Sequence, residues 1–227
     1  MTRSTLLLGT AAALCLGTPA LSAIQSYRAD VSQLNGSGVS GTVDFRYDTI
    51  SRDLNVSGAV DGLVPDQVHV QHIHGRFDDA GNPINSVVPP QSADVGDGMG
   101  GPPNGIISVA EGAPFYGDIL LPLEDQSDGF NNGPVADANG TIVFDYVFNL
   151  DNDEAFLNPL DGTQYEGDDL LPLEFREYVV HGLTVDGEYS VTTPAGAAEI
   201  SAVPLPAGGL LLLGGLGVLG LARRRLG

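Results

Sequence analysis

Period-two alternation of apolar and polar residues is the feature that most narrows what this chain can fold into. Val39, Gly41, Val43, Phe45 and Tyr47 alternate with Ser40, Thr42, Asp44 and Arg46, and Leu54, Val56, Gly58 and Val60 repeat the pattern. Successive side chains of an extended strand point to opposite faces, so each such row buries one face and wets the other. Ile142, Phe144, Tyr146, Phe148 and Leu150 make a further row after the turn signal Asp137-Ala138-Asn139-Gly140. A first strand over 27–34 precedes the turn Asn35-Gly36-Ser37-Gly38, and more strands are expected at 68–74, 119–123, 178–183, 187–191 and around Glu199. No stretch between the two chain ends has a helical period. The pattern predicts an all-β fold, a Greek-key sandwich or flattened barrel of about eight antiparallel strands.

Residues 75–117 interrupt the rhythm with a long segment rich in Gly, Pro and Asp, read here as a loop. Loops of that length are functional or mobile. Asp78, Asp79, Asp94, Asp97, Asn104 and Glu111 lie in it and raise the expectation of calcium. Their spacing is not that of an EF-hand, which leaves solvated acids as the plainer reading. The pentapeptide Leu-Leu-Pro-Leu-Glu occurs at 120–124 and again at 170–174, too short to define a repeat.

The two ends read as sorting segments, so apolar export and anchor helices are expected there. Arg3 precedes an apolar stretch from Leu6 to Leu16, and Ala20-Leu21-Ser22-Ala23 offers a small-residue cleavage site, which makes 1–23 a signal peptide. Cys15, the only cysteine, lies inside it, so the exported protein has no disulfide. At the other end Val203-Pro204-Leu205-Pro206-Ala207 leads into an apolar run to Ala222 and then Arg223-Arg224-Arg225. The run of roughly fifteen residues is shorter than the ~20 that span a bilayer comfortably, and the arginines favour the cytoplasmic side. This order resembles the VPLPA variety of the PEP-CTERM sorting signal. The resemblance implies an exosortase-type processing enzyme as partner, and a route from an inner-membrane anchor to the cell surface or the extracellular space, where a matrix or surface polymer is the expected neighbour. The expected division is 1–23 signal peptide, 24–202 β-domain and 203–227 sorting and transmembrane segment.

The chain has nine arginines and no lysine, and Arg3, Arg223, Arg224 and Arg225 fall in the end segments. Five arginines against twenty-nine acids leave the central region with a formal charge of −24. Such a field repels nucleic acid and excludes it as a partner. There is no Gly-rich phosphate loop, nucleophile elbow or cysteine nucleophile, which removes the commonest hydrolase and transferase chemistries.

Chemistry concentrates in the four histidines. His69, His72 and His74 fall within six residues, and His181 stands far away in sequence. On a strand His72 and His74 share a face, and an imidazole from a neighbouring strand would complete a nitrogen-rich site suited to copper or zinc. The alternative is that these imidazoles simply hydrogen-bond across the sandwich. Gln71 falls on the opposite face, where a buried amide needs a partner.

The order Gly62-Leu63, His69-Val-Gln-His72-Ile-His74-Gly75 and Arg176-Glu-Tyr-Val-Val-His181 resembles Cu,Zn superoxide dismutase. That resemblance implies copper on His72, His74 and His181, with His69 and Arg176 in supporting positions. The same strand, a later Val-His and Gly196-Ala-Ala-Glu199-Ile200 also resemble the CHRD domain. Departures matter as much. Residues 75–180 contain no histidine, so a zinc site of the dismutase type is not expected, and Ser190–Pro194 lacks the arginine that attracts superoxide in that family. Three functions follow: a surface or matrix module, non-catalytic and holding one copper ion; a copper-only superoxide dismutase acting outside the cytoplasm; or calcium-dependent adhesion through residues 75–117.

Overall fold

The computed structural model describes residues 24–96, 102–124 and 133–204. The expected signal peptide over 1–23, Asp97, and the tail from Leu205 through Pro206, Ala207 and the three terminal arginines lie outside the described residues. Ten antiparallel strands are present among those described: β1 Ile24–Gln33, β2 Ser40–Asp48, β3 Asp53–Asp61, β4 Gln71–Phe77, β5 Pro83–Ile84, β6 Asp118–Pro122, β7 Ile142–Asn149, β8 Glu177–Val185, β9 Glu188–Glu199 and β10 Ser201–Ala202. β5 and β10 are the two-residue additions to the expected eight.

The strand order is β5-β4-β8-β9-β1-β2-β3-β7, with β6 on the free edge of β4 and β10 on β1. Strand β1 joins two halves of the sheet. One edge carries β2 from Ile24 to Val31, while Ser32 and Gln33 reach across to Ala197 and Gly196 of β9. The predicted inward rows are the buried ones: Val43, Phe45, Leu54, Val56 and Val60 are sealed from solvent, whereas Val143 and Val147 on the outward row of β7 are exposed. These residues share one hydrophobic cluster with Ile73, Leu121, Tyr178 and Val180 from the other half, so the two halves close on a single core in a sandwich-like arrangement.

The expected strand at 68–74 is shorter at its start, since β4 begins at Gln71 and His69 precedes it, with its backbone N–H on the Pro134 carbonyl. The separate strands expected at 187–191 and near Glu199 are one, β9.

The largest correction concerns residues 75–117. This segment is not a structureless loop: it contains β5, a 3₁₀ turn Gln91–Ala93 and a helix, α1, over Val109–Tyr116. Two turns of helix leave too few residues for a period to show, but the N-terminal signal was there. Ser108 and Glu111 form a capping box, each side chain satisfying the other's backbone N–H. The segment folds over the outer face of β8 and β9, where Leu34, Tyr116, Val179 and Ala197 make a second small cluster with Val88 and Ala113 packed on it. A sheet face that would otherwise be wet is thereby buried.

Three of the acids of this segment help to build it. Asp78 accepts from the N–H groups of Ala80 and Asn82, Asp94 from those of Asn104 and Gly105, and Glu111 from Val95 and Ser108. These three carboxylates hold turns and caps.

Candidate metal centre

The covered face of β4 and β8 is where the histidines meet. In the register of the two strands His72 lies opposite Val179 and His74 opposite Glu177, while Gln71 and Ile73 fall opposite Val180 and Tyr178 on the core side. Directly opposed residues share a face, so His72, His74, Val179 and Glu177 all point away from the core cluster.

Two irregularities aim these side chains. The pairing of β4 with β6 shifts between Ile73 and His74, and that of β8 with β9 shifts on both sides of His181. β-Bulges bend a strand locally and redirect the side chains beside them. Gly182 follows His181 with φ of +111°, and a Cβ there would come within 2.2 Å of the Tyr189 hydroxyl and 2.4 Å of His69 Nδ1. Only glycine fits this bend.

The result is a triangle of rings, with centroid separations of 5.5 Å for His72 to His74, 5.2 Å for His72 to His181 and 6.0 Å for His74 to His181. One nitrogen from each ring lies within 4.8 Å of the others, and among the described residues this is the one grouping of three or more such side chains able to hold a metal ion.

The hydrogen bonds set the tautomers. His74 Nδ1 is 3.0 Å from the Gly117 carbonyl and His181 Nδ1 is 2.7 Å from the Thr192 carbonyl. A carbonyl only accepts, so each Nδ1 carries the proton and each Nε2 a lone pair. Those two Nε2 atoms and His72 Nδ1 are buried and have no hydrogen-bond partner among the described residues.

Burial holds the rings neutral, the form that binds metal. It is the main cause that takes His74 down to about 3 and His181 to about 4, against weaker opposition from their carbonyl bonds. His72 falls well below its usual value through burial first, then through His181 and His74. Three imidazole nitrogens suit copper or zinc and leave a coordination position open.

No protein-family model matches the chain, and no curated protein matches it. The site therefore rests on its own geometry.

The two supporting residues are both fully buried but differ in place. His69 lies beside the site with both ring nitrogens on backbone carbonyls, 2.9 Å from that of His181 and 3.0 Å from that of Val64. It is not part of the group of converging imidazoles, and its ring lies against the backbone that carries His181. Arg176 sits further along, donating to the carbonyls of Asp169, Leu170, Leu171 and Arg76, with its guanidinium 5.0 Å from the Phe77 ring centre. Burial brings it down to about 10, opposed by Asp169. It ties the 3₁₀ turn Gly167–Leu170 to the end of β4 and does not reach the imidazoles through any of these bonds.

Gln71 has half of what it needs: its Oε1 accepts from the Tyr178 hydroxyl at 2.5 Å, while its Nε2 is buried with no partner among the described residues.

Three residues near the site carried no sequence signal. Tyr116 of α1 packs on His74 with centroids 4.6 Å apart. Glu177 is sealed from solvent with neither carboxyl oxygen partnered among the described residues, and burial, then the charge of Glu199, push it up to about 8. Glu124 is buried and lines a cavity of about 410 Å³ above the histidines. It ends the first Leu-Leu-Pro-Leu-Glu, which runs through β6, whereas the second copy spans 3₁₀ turns. The two copies are not a structural repeat.

Proposed function

We propose that this protein is an exported Greek-key β-sandwich module, of the superoxide dismutase-like or CHRD type, that holds a single copper ion on His72, His74 and His181 and is not a catalyst of superoxide removal. The observation that carries the proposal is the set of three neutral, converging imidazoles, each with one buried nitrogen left without a partner. Imidazoles that served only to hydrogen-bond across the sheet would not leave these three atoms bare, because an unpaired buried polar atom costs roughly 1–3 kcal/mol. A metal ion would satisfy all three at once.

Copper would supply one-electron redox chemistry at such a site. The alternative, a copper-only dismutase outside the cytoplasm, shares these ligands. Its anionic substrate would have to enter a cavity whose wall includes Glu124, within a region of formal charge −24. The ends of the chain support the rest of the proposal: export by the signal peptide, an inner-membrane anchor, handling by an exosortase-type enzyme, and release to the surface or matrix.

The test is metal content of the purified full chain by mass spectrometry after exposure to copper and zinc together and removal of loosely held ions. We expect about one copper per chain, lost in His74→Ala, with no superoxide dismutation above free copper. Copper retained equally by His74→Ala would overturn the site, and dismutation that depends on His74 would replace the module with the enzyme.

A further inference from the structure

The cavity above the histidines has walls of a definite character. Val70, Val109, Ile119, Pro159, Leu160 and Val191 supply them, and the three imidazoles stand together in its lining. Polar groups other than the histidines are few, namely Thr192 and the buried carboxylate Glu124. At about 410 Å³ the space holds on the order of ten non-hydrogen atoms, far more than a single water or a diatomic molecule on the metal needs. Leu160 and Val191 are 67% and 37% exposed, so the apolar lining continues to the surface as an entrance.

These features select an occupant. The negative field of the surrounding domain opposes anions. Apolar walls oppose a strongly hydrated cation, which would lose its water without replacement. What remains is a neutral molecule with an apolar body and one lone-pair donor, the body lying along the valines and Leu160 while the donor takes the open position on the metal.

We infer that the cavity is a binding site for small, neutral, largely apolar ligands that coordinate the metal held by His72, His74 and His181. This rests on the proposed metal site and adds the chemical class that the site admits.

The test uses the copper-loaded full chain, with its metal content measured first, and compares imidazole with 4-phenylimidazole at mildly alkaline pH, where both probes are neutral. Binding is read from the visible absorption of copper(II). Burial of the phenyl ring predicts that 4-phenylimidazole binds about tenfold or more tightly than imidazole. Leu160→Asp, at the entrance, is expected to bring that ratio down several-fold. Equal affinities on a chain that holds copper would overturn the cavity inference and leave the metal site standing. A chain that holds no copper would overturn the metal site itself, and would show it before either probe is added.

Discussion

Gly182 does more for the site than its size suggests. Its φ of +111° sets the bulge beside His181, and its missing Cβ leaves room for His69 and the Tyr189 hydroxyl, which donates to the Val68 carbonyl. Gly182→Ala combines a disfavoured backbone with a collision, and we expect a loss of about 2 kcal/mol or more in a denaturant titration. The same change should weaken copper binding, since His181 is aimed by that backbone. An unaltered midpoint would mean that the bulge relaxes freely. The grouping of the three histidines was legible from the spacing of His72 and His74 and from the isolation of His181. What spacing could not convey is the tautomer of each ring, because the carbonyls of Gly117 and Thr192 that fix Nδ1–H come from other parts of the chain.

The strands were legible as elements wherever one face is buried and the other wet, as in β2, β3 and β7. The strand expected at 68–74 was legible as an element but displaced at its ends, because alternation gives no guide where the central residues of β4 are buried on both faces, one by the core and the other by the segment that includes α1. Helix α1 went unseen for the converse reason, having only eight residues and Pro114 within them. It places Val109 in the cavity wall and Tyr116 on His74. Ser108→Ala removes half of its capping box and should cost about 1 kcal/mol of stability. Hydrogen exchange should show faster exchange in α1, with β2 and β3 unchanged, and equal protection in variant and parent would show that packing alone holds the helix.

For the molecule as a whole, a buried acid sets one side of the pH response. Glu177 keeps its proton in the folded chain up to about 8, whereas the unfolded chain gives it up near 4.5. Between those values the unfolded state binds fewer protons, so stability falls as pH rises, by up to about 1.4 kcal/mol per pH unit from this group. His74 and His181 act in the opposite sense in metal-free protein: their folded values lie below 6.5, so they remove stability as pH falls below it. Glu177→Gln should therefore stabilise the metal-free chain increasingly from about pH 5 to pH 8, as read by denaturant midpoints, and an advantage independent of pH would show that Glu177 ionises freely. The wider acidity creates a different difficulty. A chain with twenty-nine acids attracts divalent cations to its surface, so bound copper alone does not identify the histidine site. X-ray absorption at the copper edge of the loaded full chain distinguishes the two directly. The account predicts a first shell with three imidazole nitrogens, reduced in His74→Ala, whereas a shell of carboxylate and water oxygens with no imidazole scattering would contradict it.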